Sequence, residues 1–374
     1  MTASFLARAL VVDASPGPLL FDEMNAFLDH GFVVTLNLRN VPERDAVRQH
    51  YGERLSYADF DAFEPASVLD ALIQDGIGHA VLKTRANVPI DRALIEGATA
   101  HTLRHPLSVI SQAGVGVDHI DIAAATRQRV LVTNTPGSNA NAVAEFALGQ
   151  MLALTRRIVA YDTASHGGVW AKSNAGPVAS EMPDLTLGLV GIGNIARRFA
   201  AKAQLLGMRV IGYGSPRFTE ELAATLHIER KETLDALLED ADVVSLHAPL
   251  TAATRHLIGT RELDCMKHGA VLINTARGGL VDEQALADAL SSPDSPIAGA
   301  AIDTFALEKT RFSSPLVGID RALLSPHIAG TTGSAIRSAA RQAVENAATV
   351  LVGRAGASIV NPQARPEASL PFSH

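Results

Sequence analysis

The chain has 374 residues, 47% of them apolar and 19% charged, with a net charge of −7 and one cysteine. That balance describes a folded chain of about two domains and excludes disorder, a disulfide framework and a nucleic-acid face, since Lys and Arg are scattered along the sequence. No run approaches the ~18 apolar residues of a membrane span, and a lone cysteine, Cys265, fits a reducing, cytoplasmic compartment.

The N-terminal apolar stretch is interrupted by Arg8 and ended by Asp13, so it reads as a first strand and not as a leader. Further strands are expected near 31–36, 79–83 and 107–111, alternating with helical patterns. The stretch 138–160, SNANAVAEFALGQMLALTRRIVA, reads as one long Ala- and Leu-rich helix opened by a Ser or Asn cap. A helix this apolar is buried between domains or packed on another subunit. A homodimer through it is expected.

From Leu185 the pattern changes to short β-rich apolar runs at 185–191, 208–213, 241–249, 269–276, 297–305 and 322–327, separated by helical stretches. Continuous apolar strands between helices indicate a parallel sheet covered on both faces. Residues 331–353 read as a final helix stopped by Gly353, followed from Pro362 by a polar, proline-punctuated tail expected to be mobile.

Between the first of these runs and its helix lies LVGIGNIARRFA, which gives Gly191-x-Gly193-x-x-Ala196. The first glycine permits the tight turn, the second admits a pyrophosphate, and the small Ala196 lets helix and strand close on each other. Phosphate then meets the N–H groups of the helix start, at Asn194 and Ile195. A second pair, Gly114-x-Gly116, is followed by Asp118 and His119 and reads as an ordinary loop. About 20 residues past the dinucleotide turn an acid usually receives the ribose hydroxyls of NAD. Here IGYGSPRF offers Gly214, Ser215, Pro216 and Arg217 instead. A hydroxyl and a guanidinium suit a 2′-phosphate, so NADP(H) is expected over NAD(H); a plain turn that tolerates NAD is the alternative.

Polar residues also follow the last strands: Arg277 in INTARGG, Asp303 and Glu308 in AAIDTFALE, His327 in LLSPHIAG. Such sheets bind ligands at the carboxyl ends of their strands. A guanidinium there suits a carboxylate, and a histidine beside a glutamate suits proton transfer. No His, Cys, Asp or Glu cluster has metal-ligand spacing, so no metal is expected.

The segments GVGVDHIDIAAAT, NTPGSNANAVAEFALGQMLAL, LVGIGNIARR, LHAPLTAATRHLIG, GAVLINTARGGLVDEQAL, GAAIDTFALE and LLSPHIAGTT stand in order between about 79 and 353. In them the chain resembles the D-isomer-specific 2-hydroxyacid dehydrogenases. The resemblance implies two doubly wound, Rossmann-like α/β domains. A dinucleotide-binding domain, 134–330, is inserted into a flavodoxin-like substrate domain, 1–133 plus 331–374.

It also implies roles. Arg277 binds the substrate carboxylate and polarises its carbonyl, and His327 with Glu308 supplies the proton. The backbone of Val115 and Gly116 holds the carboxylate, and the stretch Lys83 to Asn87, with Arg85 and Ala86, forms another substrate loop. Lys83 and Arg85 are open either to a second anionic group or to solvent. Asp303 bonds the nicotinamide amide, while His247, Ala248, Pro249, Thr275 and Ala276 line the cofactor. The implied reaction is reduction of a small 2-oxo acid of the glyoxylate or hydroxypyruvate kind. NAD-dependent oxidation of phosphoglycerate or of a bulkier D-hydroxy acid, and a non-catalytic dinucleotide sensor of corepressor type, are the alternatives. One departure is Lys309, where the family often has proline after the glutamate.

Overall fold

The computed structural model describes residues 7–174, 179–308 and 312–365. Lys309 and the tail beyond 365 lie outside these residues. The chain forms two compact units, one of residues 1–139 and 332–374, the other of 140–331.

The first unit begins β1 (Arg8–Val11), α1 (Leu19–Asp29), β2 (Val33–Asn37), α2 (Arg44–Tyr51), β3 (Ser56–Ala58) and α3 (Pro65–Leu72). It continues β4 (Val81–Thr84), α4 (Arg92–Ala98), β5 (Val109–Gln112), α5 (Ile122–Arg127) and β6 (Leu131–Thr133). The second unit opens on α6 (Ala140–Thr155) and α7 (Ile158–His166), then runs β7 (Thr186–Val190), α8 (Asn194–Leu205), β8 (Arg209–Tyr213), α9 (Glu220–Leu226) and β9 (Glu229–Arg230). It ends α10 (Leu234–Leu238), β10 (Val243–Leu246), α11 (Thr260–Asp264), β11 (Ala270–Asn274), α12 (Glu283–Ser291), β12 (Ile297–Ile302) and β13 (Ala322–Leu324). Helix α13 (Gly333–Leu351) returns the chain to the first unit.

Both sheets are parallel, ordered β3-β2-β1-β4-β5-β6 and β13-β12-β11-β10-β7-β8-β9. The second order reverses direction between β7 and β10, the doubly wound arrangement whose switch point receives ligands. The first sheet, six strands in the order 3-2-1-4-5-6, has the same doubly wound Rossmann-type order with its switch point between β1 and β4, and differs from the expected flavodoxin-like 2-1-3-4-5 by the added edge strand β3. In β1 the alternation is explicit. Ala9 and Val11 enter one core with Met24, Phe27 and Val344, while Leu10 and Val12 enter another with Leu82, Leu94 and Ile110. Apolar residues on both faces are what two helical layers require.

The expected single helix over 138–160 is two helices. The first ends at Thr155, whose hydroxyl bonds the Met151 carbonyl at 2.8 Å, and Arg157 takes a left-handed φ of 53° before α7 starts. Such back-bonding competes with the helical ladder and bends it. Helix α6 also finds its partner within its own unit. Ala144, Ala147 and Met151 share a core with Ala196, Phe199, Ala200 and Ala203 of α8, small side chains that let two helices approach closely. The exposed apolar residues of this region come later: Ile158, Val159, Val169 and Trp170, the last 84% exposed. Among the described residues no helix is long and apolar enough to cross a membrane.

One buried group gives the first unit a pH dependence. His79 accepts from the Thr35 hydroxyl at Nε2 and donates from Nδ1 to the Leu72 carbonyl, and burial pushes its pKa down to about 4. The unfolded chain binds this proton near pH 6.5 and the folded one does not, so stability is complete above pH 6.5 and falls as pH drops toward 4. Between those limits, urea unfolding of wild type should lose up to ~3 kcal/mol more than His79→Gln loses. Parallel pH profiles for the two proteins would refute this.

Candidate active site

The site is built where the second sheet's strands end. Strand β7 is wholly buried and delivers Gly191 at φ 92°, where a side chain would meet Ala248 N at 2.8 Å and the His247 carbonyl carbon at 2.9 Å. Gly191 N donates to Tyr213 O, and His247 N donates to Val190 O, so the turn is stitched to both neighbouring strands. Gly193 then caps α8 with no side-chain cap, and a Cβ there would meet open space. The helix start thus presents the unpaired N–H groups of Asn194 and Ile195 and the positive end of its dipole to that space. Ala196 is buried in the core beneath.

The neighbouring strand ends continue the rim. Beyond β8, Ser215 to Phe218 form a turn closed by Phe218 N to Ser215 O at 2.8 Å. Ser215, Pro216 and Arg217 are exposed, and Arg217 makes no ion pair among the described residues. Beyond β10, His247 bonds Ser245 at 3.0 Å through Nε2. Burial pushes its pKa down to about 4. Three buried polar atoms on this rim have no partner among the described residues: His247 Nδ1, Thr275 Oγ1 and Thr304 Oγ1. An open glycine cradle, an uncapped helix start and unmatched polar atoms fit a dinucleotide lying across the switch point.

Arg277 follows β11, its turn braced by buried Asn274, which receives Ala276 N and donates to Arg277 O at 2.9 Å. Gly278 lies so close to the chain at Phe305 and Ala306 that no side chain fits there. That contact brings the arginine turn against the segment carrying Glu308. Glu308 Oε2 lies 2.7 Å from His327 Nδ1, and its Oε1 receives Phe305 N. Burial alone raises the Glu308 carboxyl. The hydrogen bond and charge of His327, the Phe305 N–H and the Arg277 guanidinium outweigh burial and hold it below the ordinary carboxylate value.

His327 itself stands at φ 54°. Its loop is fixed by Asp303, fully buried, whose Oδ1 receives Ser325 Oγ at 2.6 Å and Ile328 N at 3.0 Å and whose Oδ2 receives Ala329 N at 2.9 Å. His327 N donates to the Asp303 carbonyl. Sequence reasoning named Asp303 for a cofactor contact and missed this loop-holding arrangement, as it missed Asn274, Ser325 and Gln150, which reaches Ser325 at 3.4 Å. The only sequence signal was a polar residue at a strand end.

The remaining named residues lie in the first unit, at the carboxyl ends of β4 and β5. Val115 is exposed, and its carbonyl receives Asn134 Nδ2 at 2.8 Å; Gly116 follows in the same loop. Arg85 and Ala86 follow Thr84, with Arg85 half-buried and its Nε unpartnered among the described residues. Lys83 is neither solvated nor free for an anion. It is fully buried against Glu23 at 2.6 Å, because its position in the inner strand β4 turns it into the unit's core.

Residues 148–329 match the family described as D-isomer specific 2-hydroxyacid dehydrogenase, NAD binding domain. The chain is 41% identical over 262 residues to a glyoxylate reductase of Thermofilum pendens, covering 69% of this chain and 76% of that protein. It is 35% identical over 290 residues to a D-3-phosphoglycerate dehydrogenase of Methanocaldococcus jannaschii, covering 78% of this chain but only 53% of that longer protein. The crystal structure of TT0316 protein from Thermus thermophilus superposes with a TM-score of 0.73 at 31% identity, over 94% of this chain and 99% of that one. The chain belongs to the D-isomer-specific 2-hydroxyacid dehydrogenases, oxidoreductases that use a nicotinamide dinucleotide.

Proposed function

We propose that the protein reduces a small 2-oxo acid to the D-2-hydroxy acid, with NADP(H) preferred. The single observation that carries the chemistry is the 2.7 Å pair of His327 Nδ1 and Glu308 Oε2. With Nδ1 engaged by a carboxylate, the ring is held in one orientation and has only Nε2 left for a substrate, the position a proton donor needs. Arg277 takes the substrate carboxylate and draws charge from the carbonyl, while His327 Nε2 delivers a proton to the carbonyl oxygen. The nicotinamide, when bound, supplies the hydride to C2. Gly191, Gly193, Asn194 and Ile195 hold its pyrophosphate, and His247, Ala248, Pro249, Thr275 and Ala276 line the rest of its path. Asp303 has three of about four acceptor positions filled, which leaves one for the carboxamide.

Arg85, Ala86, Val115 and Gly116 are the substrate contacts of the first unit, which serves as the substrate domain, with the second as the dinucleotide domain. Because Lys83 is neutralised by Glu23, Arg85 is the cation that this strand end offers. This supports a small monoanionic acid of the glyoxylate or hydroxypyruvate kind over a phosphorylated one. For the adenosine end, the absence of an acid at Gly214 and the unpaired Arg217 support the 2′-phosphate. The exposed Ile158, Val159, Val169 and Trp170 support a homodimer through α7 and the segment after it, in place of α6.

Loss of NADPH or NADH absorbance across a panel of 2-oxo acids tests the reading, and His327→Ala should lower kcat roughly 10²–10⁴-fold while dinucleotide affinity is kept. Arg277→Ala should raise KM and lower kcat together. Near-normal turnover in either variant would remove that residue from the chemistry. The wild type should show the larger kcat/KM with NADPH, and Gly214→Asp should reverse the preference. The new side chain has room, its nearest neighbours being Phe218 Cβ at 3.4 Å and Ile192 at 3.6 Å. A wild type that prefers NADH would overturn the cofactor assignment. Trp170→Asp should shift the sedimenting species from dimer to monomer, and a monomeric wild type would dispose of the interface.

A further inference from the structure

A buried polar network at the carboxyl end of β1 plays no part in the proposed chemistry. Lys83 and Glu23 pair at 2.6 Å with neither side chain exposed. The same ammonium donates to the Asp13 carbonyl at 2.6 Å, and Glu23 Oε2 receives Ser15 N at 2.7 Å. Asp13 then turns its carboxylate to the next loop, where Oδ1 receives Arg85 N at 2.7 Å and Oδ2 receives Ala86 N. From β5, buried Gln112 donates to the Arg85 carbonyl at 3.1 Å.

An ion pair taken wholly out of water is weak evidence for stability, because desolvation can exceed the attraction and apolar replacement is often neutral. Its effect here is geometric. Lys83 and Glu23 fix the backbone on both sides of Ala14, at the Asp13 carbonyl and the Ser15 N–H. Two oxygens of one carboxylate against two successive N–H groups fix the peptides on both sides of Arg85, and Gln112 holds the carbonyl of the second. A swing of this loop would have to break all three bonds, and each is held from inside the unit.

We propose that Asp13, braced by the Lys83–Glu23 pair, is a positioning residue for the substrate: it touches no reactant and sets the Arg85–Ala86 loop that does. This rests on the reading that the loop meets the 2-oxo acid. A loop held before substrate arrives loses little freedom on binding, so the network acts on ground-state and transition-state binding alike. Its loss therefore appears in KM and leaves kcat.

The wild type is first assayed with the 2-oxo acid panel. Absence of turnover there defeats the functional reading, independently of any variant. Asp13→Asn keeps the shape and sets an amide N–H₂ against a backbone N–H. It should raise KM for the oxo acid about 10-fold or more, with kcat within about threefold and dinucleotide affinity unchanged, as loss of uniform binding requires. Asp13→Glu, which keeps both acceptors, should recover part of the loss. The double variant Lys83→Met with Glu23→Leu removes the brace and keeps the core apolar, so it remains folded and should also raise KM. An unchanged KM in the folded double variant, or in Asp13→Asn, overturns the proposal, as does a kcat loss that equals the KM effect.

Discussion

The candidate site depends on one buried carboxylate. Asp303 has no exposed surface, and its charge is met by a hydroxyl and two backbone N–H groups of the loop that follows β13. Those bonds hold His327 in a left-handed backbone conformation that costs roughly 1–2 kcal/mol for a residue with a Cβ. Hydrogen bonds to a charged group contribute ~1.5–3 kcal/mol each. Three such bonds outweigh the strain, so the loop has one arrangement and the imidazole one direction. Strain at a functional residue persists only where the surroundings over-determine it.

The second constraint is steric. Gly278 and the Phe305–Ala306 backbone approach so closely that a methyl group cannot enter. The arginine turn after β11 and the glutamate segment after β12 are therefore registered by backbone contact, and not by side chains that hop between rotamers. Arg277, Glu308 and His327 come from three adjacent strand ends, each fixed at the main chain. A site that transfers a proton over hydrogen-bond distance gains from such fixing, since small misplacements are costly.

The amino-acid pattern made much of this legible. The six apolar runs after Leu185 are all strands, because a sheet covered on both faces leaves a continuous apolar signature. Four of the first unit's strands were legible for the same reason. β3, an edge strand with no buried residue, and β6 were not, and neither was two-residue β9. The break at Arg157 carries no glycine or proline and turns on a Thr155 hydroxyl bond, which periodicity cannot register. The glycine turn and the polar strand ends were legible because both obey local rules. The acids and amides that hold them were not. Asp13, Glu23 and Lys83 look like surface residues in sequence, and only the fold brings residues 13, 23 and 83 to one buried point.

The two units use the same device. In each, a buried or half-buried aspartate just past an inner parallel strand receives successive N–H groups of a neighbouring loop: Asp303 past β12, Asp13 past β1. The reason lies in the sheet. Where a parallel strand ends, the following loop leaves the ladder with its N–H groups unpaired, and buried ones need acceptors. An aspartate has the shortest side chain that offers two acceptor oxygens, so it reaches the next loop without displacing the core. The units differ in what stands beside the charge. Asp303 is held by the Ser325 hydroxyl and the Ile328 and Ala329 N–H groups, all neutral donors. At Asp13 burial pushes the carboxyl above its ordinary value, against the pull of the Lys83 charge and the Ala86 and Arg85 N–H groups, and the same ammonium bonds that residue's carbonyl. In both units the carboxylate oxygens themselves are held by neutral donors, and the ion of the first unit acts beside them, on the Asp13 carbonyl and on Glu23.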